Sequence, residues 1–270
     1  MKLAISNIAW DVSENDHIKD ILLELNVHAI EIAPTKFWDN PLAATEASIQ
    51  QHKSYWNDSN IEIIAMQSML FNQPNLTIFD STEASNNTLT YLEKIIELGA
   101  ALGVKAFVFG SPKNRQVGQL TPEKYEHAVH FFTRLGEIAL KNDTTFCIEP
   151  NPAIYNCDFI NNTKEAVELI QKVNHPGFQL HLDAAALLLN EENIEEAITL
   201  AAPYLKHFHI SEPYLNEIKE AKGNHELIAN SLRKIDYSNF ISIEMKQIDP
   251  TSNFEIVKEN LQFVKDMYHV

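Results

Sequence analysis

The chain has 270 residues, 45% of them hydrophobic, and its 21 basic and 37 acidic side chains give a formal net charge of −16. A chain of this size can bury a full core, and one α/β domain over residues 1–270 is the simplest interpretation. A negative surface repels phosphate backbones and anionic lipid, so we expect neither a nucleic-acid partner nor a membrane partner.

Cysteine usage and hydropathy indicate a soluble cytoplasmic protein. Cys147 and Cys157 are too few for the disulfide framework of a secreted domain. The sequence contains no run of about 18 apolar residues that would cross a membrane. Residues 3–9 have the pattern of a strand and not of a signal peptide.

Strand-like and helix-like segments alternate along the chain. The predicted strands are residues 3–9, 29–33, 61–69, 105–109, 146–149, 178–183, 205–209 and 240–245. The predicted helices are residues 16–25, 42–56, 83–102 (ended by Gly103), 122–142 (with Thr121 as N-cap), one capped by Thr163, then 193–201, one capped by Asn224 that runs to residue 234, and 254–268. No short hairpin joins two strands, which predicts an α/β fold, a single parallel (β/α)8 TIM barrel.

A doubly wound open sheet is the main alternative to the barrel. Its dinucleotide-binding form carries Gly-x-Gly-x-x-Gly in the first turn between strand and helix. The first such turn here has no glycine pattern of this kind, so we favour the barrel.

Four ionisable residues each end one of the last four predicted strands. They are Glu149, Asp183, His209 and Glu244, separated by 34, 26 and 35 residues, about the length of one strand and one helix with their loops. Neighbouring strands of a barrel end at the same rim, so these side chains should converge there.

Three carboxylates and an imidazole crowded together would repel one another and lose hydration unless a cation neutralised them. We therefore expect one divalent metal ion, Mn²⁺, Mg²⁺, Co²⁺ or Zn²⁺, because the donors are oxygen and nitrogen and include no thiolate. Any one of these residues taken singly is more often a structural strand-end residue. Four in consecutive units favour a metal site.

The residues at these strand ends resemble the sugar isomerase and epimerase branch of the xylose-isomerase-like barrel superfamily. The matching motifs are Ile148-Glu149-Pro150, Leu182-Asp183, His207-Phe208-His209-Ile210-Ser211 and Ile241-Ser242-Ile243-Glu244-Met245. The resemblance implies that Glu149, Asp183, His209 and Glu244 bind one divalent metal. It also implies that Glu149 and Glu244 are the catalytic acid/base pair.

The chemistry expected of such a site is proton transfer next to a carbonyl group. A metal that chelates a ketone oxygen and a neighbouring hydroxyl stabilises an enediolate, so the proton between them becomes easier to remove. Returning a proton to the same carbon from the other face is epimerisation, and returning it to the neighbouring carbon is isomerisation. We therefore predict a metal-dependent sugar isomerase or 3-epimerase that acts on a small-molecule sugar, sugar acid or sugar phosphate.

Two positions depart from the ketose epimerases that the chain resembles. Ala186 stands where many of them have a histidine, and Leu215 stands where they have an arginine. Both groups normally hold the substrate, so a modified sugar or a different reaction becomes a stronger expectation than a free ketohexose.

Replacement substrate-binding groups are expected near the ends of other strands. Lys113 and Arg115 follow the fourth predicted strand, and two cations in an acidic protein suggest an anionic substrate, although both residues fit an ordinary solvated loop equally well. Lys246 lies two residues after Glu244 and is as readily a surface lysine. Asn7 ends the first strand and is a candidate for the floor of the pocket.

Three other functions stay open from the sequence. A metal-dependent dehydratase, which is a lyase acting on a keto-polyol, would use the same metal shell. An apurinic endonuclease would need more histidines at the rim and a basic groove, against which the net charge argues. A non-catalytic sugar-binding barrel is consistent with Ala186 and Leu215. The number of subunits is open, a homo-oligomer included.

Overall fold

Eight parallel strands close into a barrel in the computed structural model, which describes residues 1–220, 224–249, 251 and 253–270. Each strand pairs with the next along the chain, and the eighth pairs with the first. The strands are β1 (Lys2–Ser6), β2 (Ala29–Ile32), β3 (Glu62–Met66), β4 (Ala106–Phe109), β5 (Thr145–Ile148), β6 (Phe178–Asp183), β7 (Leu205–Ser211) and β8 (Phe240–Glu244). The (β/α)8 barrel predicted from the alternating pattern is confirmed.

Helices connect the strands and surround the barrel. Those of the described residues are α1 (Asn15–Glu24), α2 (Glu46–Asn57), α3 (Thr82–Leu102), α4 (Pro122–Lys141), α5 (Thr163–Val173), α6 (Ala184–Leu189), α7 (Ile194–Ala201), α8 (His225–Lys234) and α9 (Asn253–Tyr268). None of them combines the length and the apolar character that crossing a bilayer requires.

Helix-capping residues explain most of these boundaries. The Thr121 side chain accepts a hydrogen bond from the Lys124 N–H, and Pro122 is the first residue of α4. Gly103 ends α3 at φ +111°, a conformation that glycine adopts without steric cost. The predicted cap of α5 is wrong by one residue, because Asn162 and not Thr163 accepts from the Glu165 N–H.

Helix α6 is absent from the sequence-based assignment. Its residues are three alanines followed by three leucines, so it has no polar face and no amphipathic periodicity to detect. It begins directly after Asp183, whose side chain accepts a hydrogen bond from the Ala186 N–H and so caps the helix.

Pairing between the last strands places the site residues side by side. Asp183 on β6 is opposite His209 on β7, and Ser211 on β7 is opposite Glu244 on β8. Parallel strands with this register present their carboxyl ends at one rim of the barrel. The convergence expected from the spacing therefore follows directly from the register.

The hydrophobic core lies in two layers. The larger layer packs between the barrel and the helices and includes fully buried Phe107, Phe132, Phe146 and Phe178. A smaller cluster of buried residues on the other face of the strands consists of Ala4, Ala29, Ile64, Ala65, Ala106 and Cys147. Most of these side chains are small, and all of them belong to strands β1 to β5.

Candidate active site

Four side chains converge at the carboxyl-terminal rim of the barrel. Glu149 follows the last residue of β5, Asp183 ends β6, His209 lies in β7 and Glu244 ends β8. Ligand atoms of Glu149, Asp183 and His209 all lie within 4.8 Å of one another. Nδ1 of His209 is 3.3 Å from Oε2 of Glu244. The structure thus brings together the four residues that the strand ends indicated.

The Asp183 carboxylate is held on both oxygens. Oδ1 accepts a hydrogen bond of 2.7 Å from the Ala186 N–H, and Oδ2 accepts one from the Ser211 hydroxyl. The Ser211 oxygen in turn accepts a 3.0 Å hydrogen bond from the Ala185 N–H. Because its partners belong to β7 and to the start of α6, Asp183 is oriented before any ligand binds.

Glu149 packs against the main chain at the end of β4. Its carboxylate lies where a side chain of residue 110 would be, and glycine leaves that space open. Below it, the Arg115 guanidinium donates 2.7 Å to the Glu149 carbonyl oxygen and 3.4 Å to the Phe109 carbonyl oxygen. Arg115 is fully buried and lies over the Phe109 ring, so it braces the backbone that carries Glu149.

A buried carboxylate on β2 orients His209 from the opposite side. Oε2 of Glu31 lies 2.9 Å from Nε2 of His209 and 3.4 Å from Nε2 of His207. A proton on Nε2 of His209 donates to Glu31 in this arrangement, and Nδ1 is then the basic nitrogen. Glu31 and His209 thus form a buried pair across the barrel.

The electrostatics of the rim reflect this crowding. Burial, together with the neighbouring charges of Asp183 and Glu244, raises the pKa of Glu149 to about 8. Burial and the Glu244 charge raise the pKa of Asp183 to about 6. Burial lowers the pKa of His209, but the carboxylates of Glu31 and Glu244 outweigh it and hold that pKa well above its ordinary value. Each shift arises because negative charge is concentrated where water is excluded.

The donor set fits a divalent cation. Nδ1 of His209 is buried and, among the described residues, makes no hydrogen bond of good geometry, although it lies beside Glu244. The Nδ1 nitrogen of His209 and the three carboxylates around it are nitrogen and oxygen donors that first-row divalent metals and Mg²⁺ accept. The hydrogen bond from Nε2 to Glu31 is the arrangement that usually orients a metal-binding histidine.

A cavity of about 430 Å³ opens directly onto this group. Glu149, Asp183 and Glu244 line it, and His209 lies beneath it, buried. The remaining lining comes from loops and strand ends and includes Gln67, Ser111, Asn151, Tyr155, Ala186, Ser211, Glu212, Tyr214 and Leu215. A volume of this size suits a small ligand such as a monosaccharide.

The four residues expected to bind substrate are not among those that line this cavity. Arg115 is buried under the site and donates to main-chain carbonyls. Lys113 is exposed and lines a neighbouring cavity. The Lys246 ammonium donates to the Tyr214 carbonyl oxygen, and Lys246 is not among the residues that line the cavity. The Asn7 side chain accepts a hydrogen bond from the Ala33 N–H. Arg115, Lys246 and Asn7 are each engaged by a backbone contact that strand positions alone do not reveal.

Sequence reasoning missed several residues that shape the site. Gly110, Ser211, Tyr155 and Tyr214 all line the cavity. A glycine one residue beyond β4 and a serine at the end of β7 were detectable as strand-end residues at the same rim. The two tyrosines lie on loops, where side-chain direction has no sequence periodicity.

Glu212, which lines the cavity, belongs to a second group of buried polar residues. Oε1 of Glu212 is 2.9 Å from Nε2 of His225, and Nδ1 of His225 is 2.8 Å from the Tyr268 hydroxyl. All three residues are buried, which links the end of β7 to α8 and α9. His225 therefore lies at the start of α8 and not at the four-residue group.

Comparisons with known proteins agree with this architecture. Over 88 residues, or 33% of the chain, the sequence is 28% identical to a D-psicose 3-epimerase of Ruminiclostridium cellulolyticum, and the match spans 30% of that relative's length. A crystal structure of a D-psicose 3-epimerase in the presence of D-fructose shares the fold with a TM-score of 0.83 and 16% identity over all of both chains. A probable 3-DHS dehydratase, AsbF from Bacillus anthracis, shares it with a TM-score of 0.72 and 16% identity over 98% of this chain and 99% of that one. Residues 20–267 match the family described as xylose isomerase-like TIM barrel, and the chain belongs to that family.

Proposed function

We propose that this protein is a divalent-metal-dependent sugar isomerase or 3-epimerase. The observation that carries the proposal is the meeting of three carboxylates and the Nδ1 nitrogen of His209 beside a cavity of monosaccharide size. The epimerase relative and the epimerase of similar fold support the same class of reaction.

Glu149, Asp183, His209 and Glu244 would hold the cation. A divalent cation bound there stabilises negative charge that develops on oxygen when a proton next to a carbonyl is removed. Asp183 and His209 are both fixed by further hydrogen bonds, to Ser211 and Glu31 respectively, so their geometry is set by the barrel.

Glu149 and Glu244 are the proton-transfer pair in this proposal. They lie at the ends of β5 and β8, which are separated in the barrel by β6 and β7, and both carboxylates line the cavity. Carboxylates that approach from different strands can remove a proton on one side of a sugar and return one on another. The product is an epimer or a positional isomer according to which carbon receives the proton.

Deuterium incorporation tests the reaction class. The protein is incubated in heavy water with Mn²⁺ or Mg²⁺ and a panel of ketoses and keto-sugars, and label at carbon is followed by NMR. We expect exchange that is lost on chelation and reduced about 10²–10⁴-fold by Glu149→Gln or Glu244→Gln, the range that acid–base groups contribute. Glu97→Gln, an exposed change on α3, is the matched control. Equal exchange in chelated and metal-loaded protein would overturn the proposal.

Loss of water from a keto-polyol is the second candidate. The same acid–base pair could remove a proton and protonate a departing hydroxyl, and the fold shared with a probable dehydratase supports this alternative. Mass spectrometry of the products separates the two reactions, because elimination removes one water and epimerisation leaves the mass unchanged. An apurinic endonuclease activity is disfavoured by a cavity lined with four carboxylates and by the net charge of −16.

A further inference from the structure

The cavity has an apolar side formed by segments that are far apart in sequence. We define the apolar wall as Ala185, Ala186, Tyr155, Tyr214 and Leu215, all of which line the cavity. Helix α6, which contains both alanines, contacts the turn Pro213–Leu215. The rings of Tyr155 and Tyr214 meet edge to face, with centroids 5.8 Å apart. The wall is therefore one continuous surface.

The backbone of this wall is held in an unfavourable conformation. Tyr214 and Leu215 have φ values of +64° and +58°, a left-handed region that residues with a side chain adopt only at a steric cost. The Tyr214 N–H donates to the Tyr155 hydroxyl, and the Leu215 carbonyl accepts from the Lys246 N–H. Strain that is braced by specific partners in this way is concentrated at ligand-binding sites.

Tyr214 presents its ring to the solvent side of the cavity. The residue is 56% exposed, whereas its backbone is bonded to Tyr155 and Lys246. Hydrogen bonds hold the backbone of this tyrosine in place, and its ring is open to solvent. Such a ring is suited to pack against an apolar group of a ligand. Leu215 and the two alanines beside it offer no side-chain donor or acceptor.

The charges of the lining are all of one sign. Glu149, Asp183, Glu212 and Glu244 line the cavity, and no lysine or arginine of the described residues does. A phosphate or carboxylate on the substrate would meet this charge with no cationic side chain to hold it.

We propose that this site takes an uncharged sugar carrying an apolar substituent, which packs on the apolar wall while the reacting carbons lie at the four-residue group. The inference rests on the proposed function for the position of the reacting end. A bare sugar would place hydroxyls against Ala186 and Leu215, where they lose water without gaining a hydrogen bond. An alkyl or aryl group in that place is favoured because it removes apolar surface from water.

Binding measurements with matched sugars test the proposal. The methyl and phenyl glycosides of 3-keto-glucose keep the same ring and carbonyl and differ only in the substituent. The 6-phosphate of the methyl glycoside of 3-keto-glucose keeps the same carbonyl and supplies the anionic comparison. We expect calorimetric titration in Mg²⁺ buffer to give a dissociation constant at least tenfold lower for the phenyl than for the methyl glycoside, and no measurable binding of the phosphate.

Two variants test whether the apolar wall causes the preference for the phenyl glycoside. Tyr214→Ala should reduce the difference between phenyl and methyl glycosides to less than threefold, and Leu215→Arg should make the phosphate bind measurably. Phe71→Ala is the matched control. Phe71 is an aromatic residue of similar exposure, 57%, but it lines the neighbouring cavity and not the one that contains the four-residue group. It should leave the preference intact. Circular dichroism establishes that each variant is folded.

Several outcomes would overturn the inference. These are equal affinity for the two glycosides, phosphate binding as tight as that of the glycosides, a preference unaffected by Tyr214→Ala, or no binding of either glycoside. Deuterium exchange is measured separately on the same samples. A protein that keeps the phenyl preference but exchanges no proton would contradict the proposed reaction and not the proposed substrate class.

Discussion

Gly110 and Glu149 are packed so closely that only a glycine fits beside the carboxylate. A Cβ atom on residue 110 would lie 1.8 Å from Oε2 of Glu149 and 2.9 Å from its Cδ. The end of β4 therefore determines where the proposed proton-transfer group of β5 is placed.

Gly110→Ala should displace the Glu149 carboxylate and leave the barrel folded. Because the atom that clashes is the end of a flexible side chain, the carboxylate can rotate away at a cost of about 1–3 kcal/mol. We expect a loss of 10²-fold or more in kcat, since a misplacement of about 1 Å has that effect. Gly118→Ala is the control: its Cβ meets no atom within 4 Å, so activity should persist although its φ of +62° costs stability. Wild-type kcat in Gly110→Ala would contradict this account of the site.

Arg115→Met should impair Glu149 without changing the cavity lining. The substitution removes the hydrogen bonds to the carbonyls of Phe109 and Glu149, and it also removes a positive charge that lowers the pKa of Glu149. We expect kcat to fall about tenfold with little change in KM, and the metal-free protein to titrate Glu149 at a higher pH. Steady-state kinetics and a pH titration followed by NMR measure both. Arg134→Met, an exposed change on α4, is the control, and a selective rise in KM would instead indicate substrate contact by Arg115.

Glu31→Gln should weaken metal binding although it removes none of the four proposed metal ligands. The amide keeps the shape of the side chain but loses the charge that stabilises the Nε2–H of His209 and fixes its ring. Removal of such a partner commonly costs 10–100-fold in metal affinity. Calorimetric titration with Mn²⁺ is the measurement, and Glu62→Gln, an exposed change at the start of β3, is the control. Equal affinities would show that Glu31 is only a core residue.

The stability of the metal-free protein should fall as pH rises from about 5 to about 8. In the unfolded chain a glutamate ionises near pH 4.3, whereas burial and the charges of Asp183 and Glu244 raise the pKa of folded Glu149 to about 8. Between these values the folded protein binds a proton that the unfolded chain has lost, so rising pH favours unfolding by up to about 1.4 kcal/mol per pH unit for this group. Thermal unfolding in EDTA measures the slope.

Two comparisons isolate this effect from the other titrating groups. Glu149→Gln should reduce the slope, because the amide has no proton to lose. Saturating Mg²⁺ should also reduce or reverse it, since metal ligands bind in their deprotonated form. A slope that is identical in wild-type and Glu149→Gln protein would contradict the raised pKa.

Residue pattern alone was sufficient to predict the barrel and the rim positions of its ionisable residues. Strand periodicity and the absence of hairpins require parallel strands, and parallel strands of a closed barrel all end at one rim. A residue such as Asp183 or Glu244 that ends a strand therefore reaches this rim whatever the loops do. The helix caps at Thr121, Asn224 and Gly103 were readable for a similar reason, because capping depends on neighbouring residues.

Tertiary contacts decided everything that depends on loops and on residues far apart in the sequence. Arg115 is directed into the protein because two carbonyls from β4 and the end of β5 accept its hydrogen bonds, which its position in a basic stretch does not indicate. The space at Gly110 and the positive φ values of Tyr214 and Leu215 likewise arise from segments that meet only in the fold. The sequence by itself determined which groups meet at the rim, since strand ends converge by topology. Only the folded chain decided how those groups are oriented and what surface faces them, because side-chain direction in a loop depends on long-range packing and hydrogen bonding.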